Sequence, residues 1–177
     1  VENNTYFGHF PYGETDRSRL VQVGMYYDRP EYLDGEAADA FARLQADARA
    51  SGIDLTIISG FRSVAAQEKL FARQIQRRGS REAAARLSAP PGYSEHHTGY
   101  AFDIGDGSDR DTDLKFAFER TRAYRWLSEN AGHYGLELSF PRDNPGGVSF
   151  EPWHWRFVGS ETAGQIFAPA RRWLVSR

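Results

Sequence analysis

Two stretches of this 177-residue chain gather side chains able to hold a metal ion and to move a proton. SEHHTGYAFDIGD, residues 94–106, carries His96, His97 and Asp103, and EPWHW, residues 151–155, carries Glu151 and His154. The chain has no cysteine, so a transition metal must be held by imidazole and carboxylate. Two histidines and one carboxylate leave a coordination position open, the pattern of catalytic rather than structural zinc. A free glutamate beside that position can take a proton from water acidified by the metal. His96, Asp103 and His154 could supply such a ligand set, with Glu151 as the free glutamate. His9 and His133 carry no such pattern and read as ordinary histidines.

These residues need elements that bring them together. His96 and Asp103 stand at an odd offset, which on a straight strand would send them to opposite faces. They converge if the chain bends at Gly99, leaving His96 in a loop and Asp103 in a strand at YAFDI. WHWRFV reads as the strand that delivers His154, with Trp153 and Trp155 together on its other side as core or pocket wall. Helices are expected over 34–51, capped by Asp34, over 64–78, capped by Ser63 with Leu70, Phe71 and Ile75 buried, and over 120–132, stopped by Gly132. A short helix follows Ser80, IDLTIIS and GLELSF read as strands, and the course of 160–175 is interrupted by Pro169. Residues 1–33 read as an irregular N-terminal arm with a short strand at LVQVGMYY, and 34–177 as one domain. Strands and helices mix without a βαβ rhythm, so the expected class is α+β: a small antiparallel sheet with helices packed around it.

Composition narrows the partners. Apolar residues make up 40% and charged residues 26%, and the net charge is −2, so no nucleic-acid or anionic-membrane role is implied. No apolar run approaches the roughly 18 residues of a membrane span. The chain opens on Val1 without a signal-peptide pattern, which is compatible with a processed form. The acidic loop GDGSDRDTD offers a rival calcium site, but counted from Asp109 it lacks the glycine at position six and the glutamate at position twelve of an EF-hand.

Three blocks in order, SGFRSVAAQ, SEHHTGYAFDI and EPWHWRFVG, resemble the VanY-type zinc D-alanyl-D-alanine carboxypeptidase family. The blocks span residues 59–159. The resemblance implies a Hedgehog/D-Ala-D-Ala carboxypeptidase-like fold and one Zn2+ per chain on His96, Asp103 and His154. It makes Glu151 the base and Arg62 the residue that engages substrate near its scissile bond or terminal carboxylate. Gln67, Ser94 and Trp153 fall among the substrate contacts, and His97 is expected behind the ligands, at the rim or simply exposed. Phe61 replaces a tyrosine common in the family, removing a hydroxyl. The implied substrate is the peptidoglycan stem peptide, cut by D,D- or L,D-carboxypeptidase action, and the implied location is extracytoplasmic: periplasmic, secreted or envelope-anchored. A stem-peptide endopeptidase and a non-catalytic zinc module of Hedgehog type are the alternatives, and the intact Glu151 speaks against the second.

Overall fold

Alternation along two short strands decides which face of the sheet carries the chemistry. In the computed structural model, which describes residues 4–176, β4 (Ala101–Asp106) pairs antiparallel with β6 (His154–Phe157), and Asp103 stands opposite His154. Their neighbours Phe102, Ile104, Trp155 and Phe157 belong to the hydrophobic core. Because side chains alternate across a strand, Asp103 and His154 emerge together on the other face. β3 (Leu55–Ser59) and β5 (Leu136–Leu138) complete an antiparallel sheet of order β3-β4-β6-β5. A bulge after Ile57 sets Ser59 opposite Asp103.

The core face is covered by α1 (Gly35–Ala50), which buries Ala37, Phe41, Leu44 and Ala48 at helical spacing. Phe41 meets Phe102 edge-to-face, ring centroids 5.2 Å apart. Asp34 caps this helix by accepting the Glu36 N–H at 2.9 Å. α5 (Glu161–Val175) adds Ala163 and Phe167 to the core and carries Pro169 without ending. The expected α+β architecture is the one observed.

On the other side of the site, Ser63 caps α2 (Val64–Arg78), and α3 (Arg81–Ala85) follows from a cap at Ser80. α2 buries Phe71 as expected, but Leu70 and Ile75 are only half-buried and the polar Gln67 is buried instead. α4 (Arg122–Asn130) runs on through a 3₁₀ turn, Ala131–Tyr134. The stop is Gly135, at φ 74°, and not Gly132.

The N-terminal arm is more ordered than its sequence suggests. Residues 1–3 lie outside the described residues. The strand expected at 20–27 is β1 (Leu20–Tyr26), and it forms a hairpin with β2 (Arg29–Asp34). The hairpin ties to the strand–turn that carries Arg62: Phe61 N–H donates to Tyr32 O at 2.7 Å, and Gly60 N–H to Glu31 Oε1 at 2.9 Å.

Candidate active site

Residues 95–98 form one 3₁₀ turn between a Ser94 cap and Gly99. Successive side chains on a 3₁₀ turn are rotated by about 120°, so neighbours in sequence fan out in different directions. Glu95, His96 and His97 are all buried here, and each reaches a different partner. Gly99 ends the turn at φ 76°, the left-handed bend that returns the chain into β4. A Cβ there would press on Asp34 N at 3.1 Å and Leu20 Cδ2 at 3.2 Å. The expected bend at Gly99 is what sends Asp103 back toward His96.

His96, Asp103 and His154 converge, with one ligand atom from each lying within 4.8 Å of the others. Asp103 Oδ1 sits 3.5 Å from His96 Nε2 and 3.3 Å from His154 Nδ1. Those spacings match the edge of a tetrahedron with zinc-type bonds, about 3.3–3.4 Å for bonds near 2.05 Å. Asp103 Oδ1 is buried and accepts no hydrogen bond, so the cluster has a free acceptor at its centre. The outer nitrogens are committed elsewhere: His96 Nδ1–H donates to Gly60 O at 2.7 Å, and His154 Nε2–H to Glu95 Oε1 at 2.8 Å. These bonds orient both rings with their inner nitrogens turned toward Asp103, as metal-site histidines require. Oxygen and nitrogen donors of this number and spacing fit a zinc ion. Among the described residues, this is the one such group, and the acidic loop after β4 contributes none. There Asp106 accepts the Ser108 N–H, and Asp113 pairs with Arg110.

Glu95 is a participant the sequence reading missed. Its second oxygen accepts from Arg156 Nη1 at 2.9 Å, and Arg156 also meets Glu137 at 3.1 Å. Arg156 stands two residues beyond His154, on the same strand face, and is 1% exposed. A buried arginine needs a buried anion. That requirement was the available signal: an arginine two places after a candidate ligand must be answered by an acid.

Charge follows the packing. Burial works against the charged form of His154, yet the carboxylates of Asp103 and Glu95 beside it overcome burial and raise the imidazole to about 10. Burial pushes Asp103 upward, but the neighbouring imidazoles hold it well below the usual carboxylate range. Glu95 is held down likewise, against burial, by Arg156 and His154. Glu151 differs. Its Oε2 lies 3.6 Å from His154 Nδ1, and burial, reinforced by Asp103 and Glu95, pushes its carboxyl up to about 8.

Arg62 comes to the same cleft on neutral supports. Its Nη1 donates to Gln67 Oε1 and its Nη2 to Ser59 Oγ, both at 2.9 Å. Gln67 is in turn held by donation to Ala89 O at 2.7 Å. No carboxylate among the described residues lies within salt-bridge distance of Arg62, so its guanidinium is free to take one. His97 supports the backbone behind it: Nδ1–H donates to Arg62 O at 2.7 Å, and Nε2 accepts the Gly92 N–H at 3.1 Å. His97 is therefore neither at the rim nor exposed; it is wholly buried.

A cleft of about 700 Å³ joins Arg62, Gln67, Ser94, Trp153, Glu151 and the three candidate ligands. Ser94 also caps the 3₁₀ turn, accepting the His96 N–H at 3.2 Å. Trp153 lies on the cleft wall near Phe116, ring centroids 6.3 Å apart, whereas Trp155 is in the core. His9, from the N-terminal arm, is buried on the same cleft and bonded to Ala85 O at 2.7 Å, while His133 is exposed. Phe61 is not on the cleft wall; its ring lies under Arg17, 5.6 Å from the guanidinium carbon.

The family profile for D-alanyl-D-alanine carboxypeptidase, VanY, matches residues 30–160. A D-alanyl-D-alanine carboxypeptidase of Enterococcus faecium is 34% identical over 131 residues, 72% of this chain and 38% of that protein. The chain spans about half the length, or less, of three curated relatives it matches. Among solved structures, the LdcB LD-carboxypeptidase superposes with a TM-score of 0.74 at 33% identity, covering 89% of this chain and 76% of that one. A mutant of the vancomycin-resistance D,D-pentapeptidase VanY in complex with Zn(II) gives 0.66 at 30% identity, covering 84% and 83%.

Proposed function

The chain belongs to the VanY family of D-alanyl-D-alanine carboxypeptidases, and we propose that it is a zinc-dependent carboxypeptidase removing the C-terminal residue of peptidoglycan stem peptides. The observation that carries the reading is one cleft holding a three-ligand cation group, a buried glutamate beside it and an arginine without a carboxylate partner.

In this proposal His96, Asp103 and His154 hold one zinc ion, the metal present in the VanY relative. When bound, zinc supplies Lewis acidity for the scissile carbonyl and lowers the pKa of water toward neutrality. Glu151 takes a proton from the attacking water and delivers it to the departing amine as the C–N bond breaks. Arg62 receives the substrate's terminal carboxylate through its planar fork, and Gln67 and Ser59 hold that fork in place. Ser94 shapes the turn beneath His96, and Trp153 walls the cleft. Peptidoglycan as substrate implies that the protein acts outside the cytoplasm.

Digestion of purified muropeptides with mass analysis tests this directly, alongside metal analysis. The expected result is loss of one C-terminal residue and about one zinc per chain. Cleavage confined to internal bonds, or no cleavage by the zinc-loaded protein, overturns it.

A further inference from the structure

One wall of the cleft is cationic, and the candidate catalytic group does not use it. Arg73, Arg77 and Arg78 of α2 line the cleft together with Lys115 from the segment after β4. The helix face that meets the cleft runs Gln67, Leu70, Arg73, Gln74, Arg77, the three-and-four spacing of a single stripe. α2 carries Lys69, Arg73, Arg77 and Arg78 against one acid, Glu68, in a chain whose overall charge is −2. Among the described residues, the only carboxylates on the cleft are Asp103 and Glu151, and both lie at the candidate metal group.

Arg43 pairs with Asp39 and Arg86 with Glu82, each one turn away, whereas among the described residues other exposed arginines such as Arg49, Arg122 and Arg125 have no ion pair. Among the described residues, Arg73, Arg77, Arg78 and Lys115 pair with none. Like charges one turn apart, as at Arg73 and Arg77, weaken a helix slightly. What sets Arg73, Arg77 and Arg78 apart from the other unpaired exposed arginines is that they border the cleft that holds the candidate metal group. Leu114, 48% exposed, and Phe116, 57% exposed, line the same cleft.

We propose that the α2 arginines bind the upstream part of the substrate, and that this substrate is an acidic peptide with free carboxylates on residues N-terminal to the scissile bond. The inference rests on the carboxypeptidase reading, which sets the terminal carboxylate at Arg62, two residues before α2 begins. From Gln67 to Arg77 the stripe covers about 15 Å of helix. An extended peptide spans that length with four to five residues. A chain anchored at Arg62 and running along α2 therefore brings its upstream residues past Arg73 and Arg77. Arg73 and Arg77 are the residues that set specificity; Leu114 and Phe116 offer the apolar wall for the substrate's aliphatic side.

The test uses two synthetic stem-type pentapeptides with the same sequence and the same free C terminus. One keeps its upstream carboxylates free and the other has them amidated. The zinc-loaded protein is expected to favour the free acid roughly threefold to tenfold in kcat/KM at about 20 mM salt, mainly through KM, the size of two exposed charge pairs. The preference shrinks at about 300 mM salt as screening shortens. In Arg73→Gln/Arg77→Gln the ratio between the two peptides falls to about one. Equal kcat/KM for both peptides with the parent protein overturns the inference and leaves the carboxypeptidase reading intact. So does a preference that survives in the double variant. If the double variant keeps the peptide preference but loses affinity for inorganic polyphosphate, the arginines serve an anionic polymer and the inference fails. Failure to cut either peptide defeats the carboxypeptidase reading and this inference with it.

Discussion

Replacing Glu95 by glutamine removes one buried negative charge and almost none of the side chain's shape. Glu95 is 4% exposed, and its carboxylate serves His154 at 2.8 Å and Arg156 at 2.9 Å. Breaking a buried ion pair from one side costs about 3–5 kcal/mol, because the other charge stays buried without its partner. Arg156 keeps Glu137 at 3.1 Å, so the lower end applies, about 3 kcal/mol. For a domain of this size that lowers Tm by about 6–12 °C. A second effect is separable. The outer partner of a metal-bound histidine is typically worth 10–100-fold in metal affinity, about 1.4–2.7 kcal/mol. Thermal melts of metal-free protein read the first effect, and zinc competition against a chelator reads the second. The sign with pH also follows. Arg156 and His154, acting against burial, hold the Glu95 carboxyl below its ordinary range. Its stabilisation is therefore complete above the unfolded pKa of about 4.3 and fades as pH falls toward the folded value, so parent and variant converge in acid. A variant with zinc affinity within about twofold of the parent refutes the role assigned to Glu95 in orienting His154. The pair Glu95→Gln/Arg156→Met leaves neither charge buried, and Glu137 retains Arg171 at 2.7 Å. It should melt above the single variant while still binding zinc weakly; a lower melt refutes the unpaired-charge argument.

Glu151→Gln should keep about one zinc per chain and lose about 10²–10⁴-fold in hydrolysis, and near-parental turnover removes Glu151 as the base. In metal-free protein the same variant should melt above the parent at pH 8, with the gap closing toward pH 4. Burial raises Glu151 to about 8, so keeping it folded costs more as pH rises from the unfolded value of about 4.3. Arg62→Ala should lower kcat/KM for peptides with a free C terminus by about 100-fold and affect C-terminal amides far less. Equal loss on both removes the carboxylate clamp, and Arg62→Lys should recover only part, since an ammonium lacks the fork.

What could be read from the sequence was whatever depended on local rules. Caps at Asp34, Ser63 and Ser80 formed because a short side-chain oxygen preceded a helical stretch. Asp103 and His154 share a face because strands alternate, and Gly99 turns left-handed because a bend was needed and glycine permits it. What could not be read depended on partners distant in sequence. Glu95 answers Arg156, 61 residues away, and no local pattern announces that pairing. The hairpin of the N-terminal arm lacks a clear period, and part of its order comes from bonds to residues 58–61. Leu70 and Ile75 were expected at the core because they are apolar. The helix instead buries Gln67, whose amide has three partners, and leaves those two half-covered.

The 3₁₀ turn explains why the candidate metal group and the candidate clamp sit where they do relative to one another. Arg62 N–H donates to His96 O at 3.1 Å, and Arg62 O accepts from His97 Nδ1 at 2.7 Å. The backbone that carries the clamp is therefore bonded on both sides to the segment that carries a ligand. His96 is itself tied to Gly60 O at 2.7 Å, two residues before Arg62. Three hydrogen bonds within one buried turn leave little freedom between the cation group and the guanidinium. On the proposed reading this works as a fixed ruler: the carbonyl under attack stands at one distance from the terminal carboxylate, whichever residues lie upstream. A loose clamp would permit cleavage at several positions, since small displacements of a reacting group are costly only when its partners are held. The rigidity of SEHHT therefore favours removal of a single terminal residue over cuts within the peptide, and leaves sequence discrimination to the rest of the cleft.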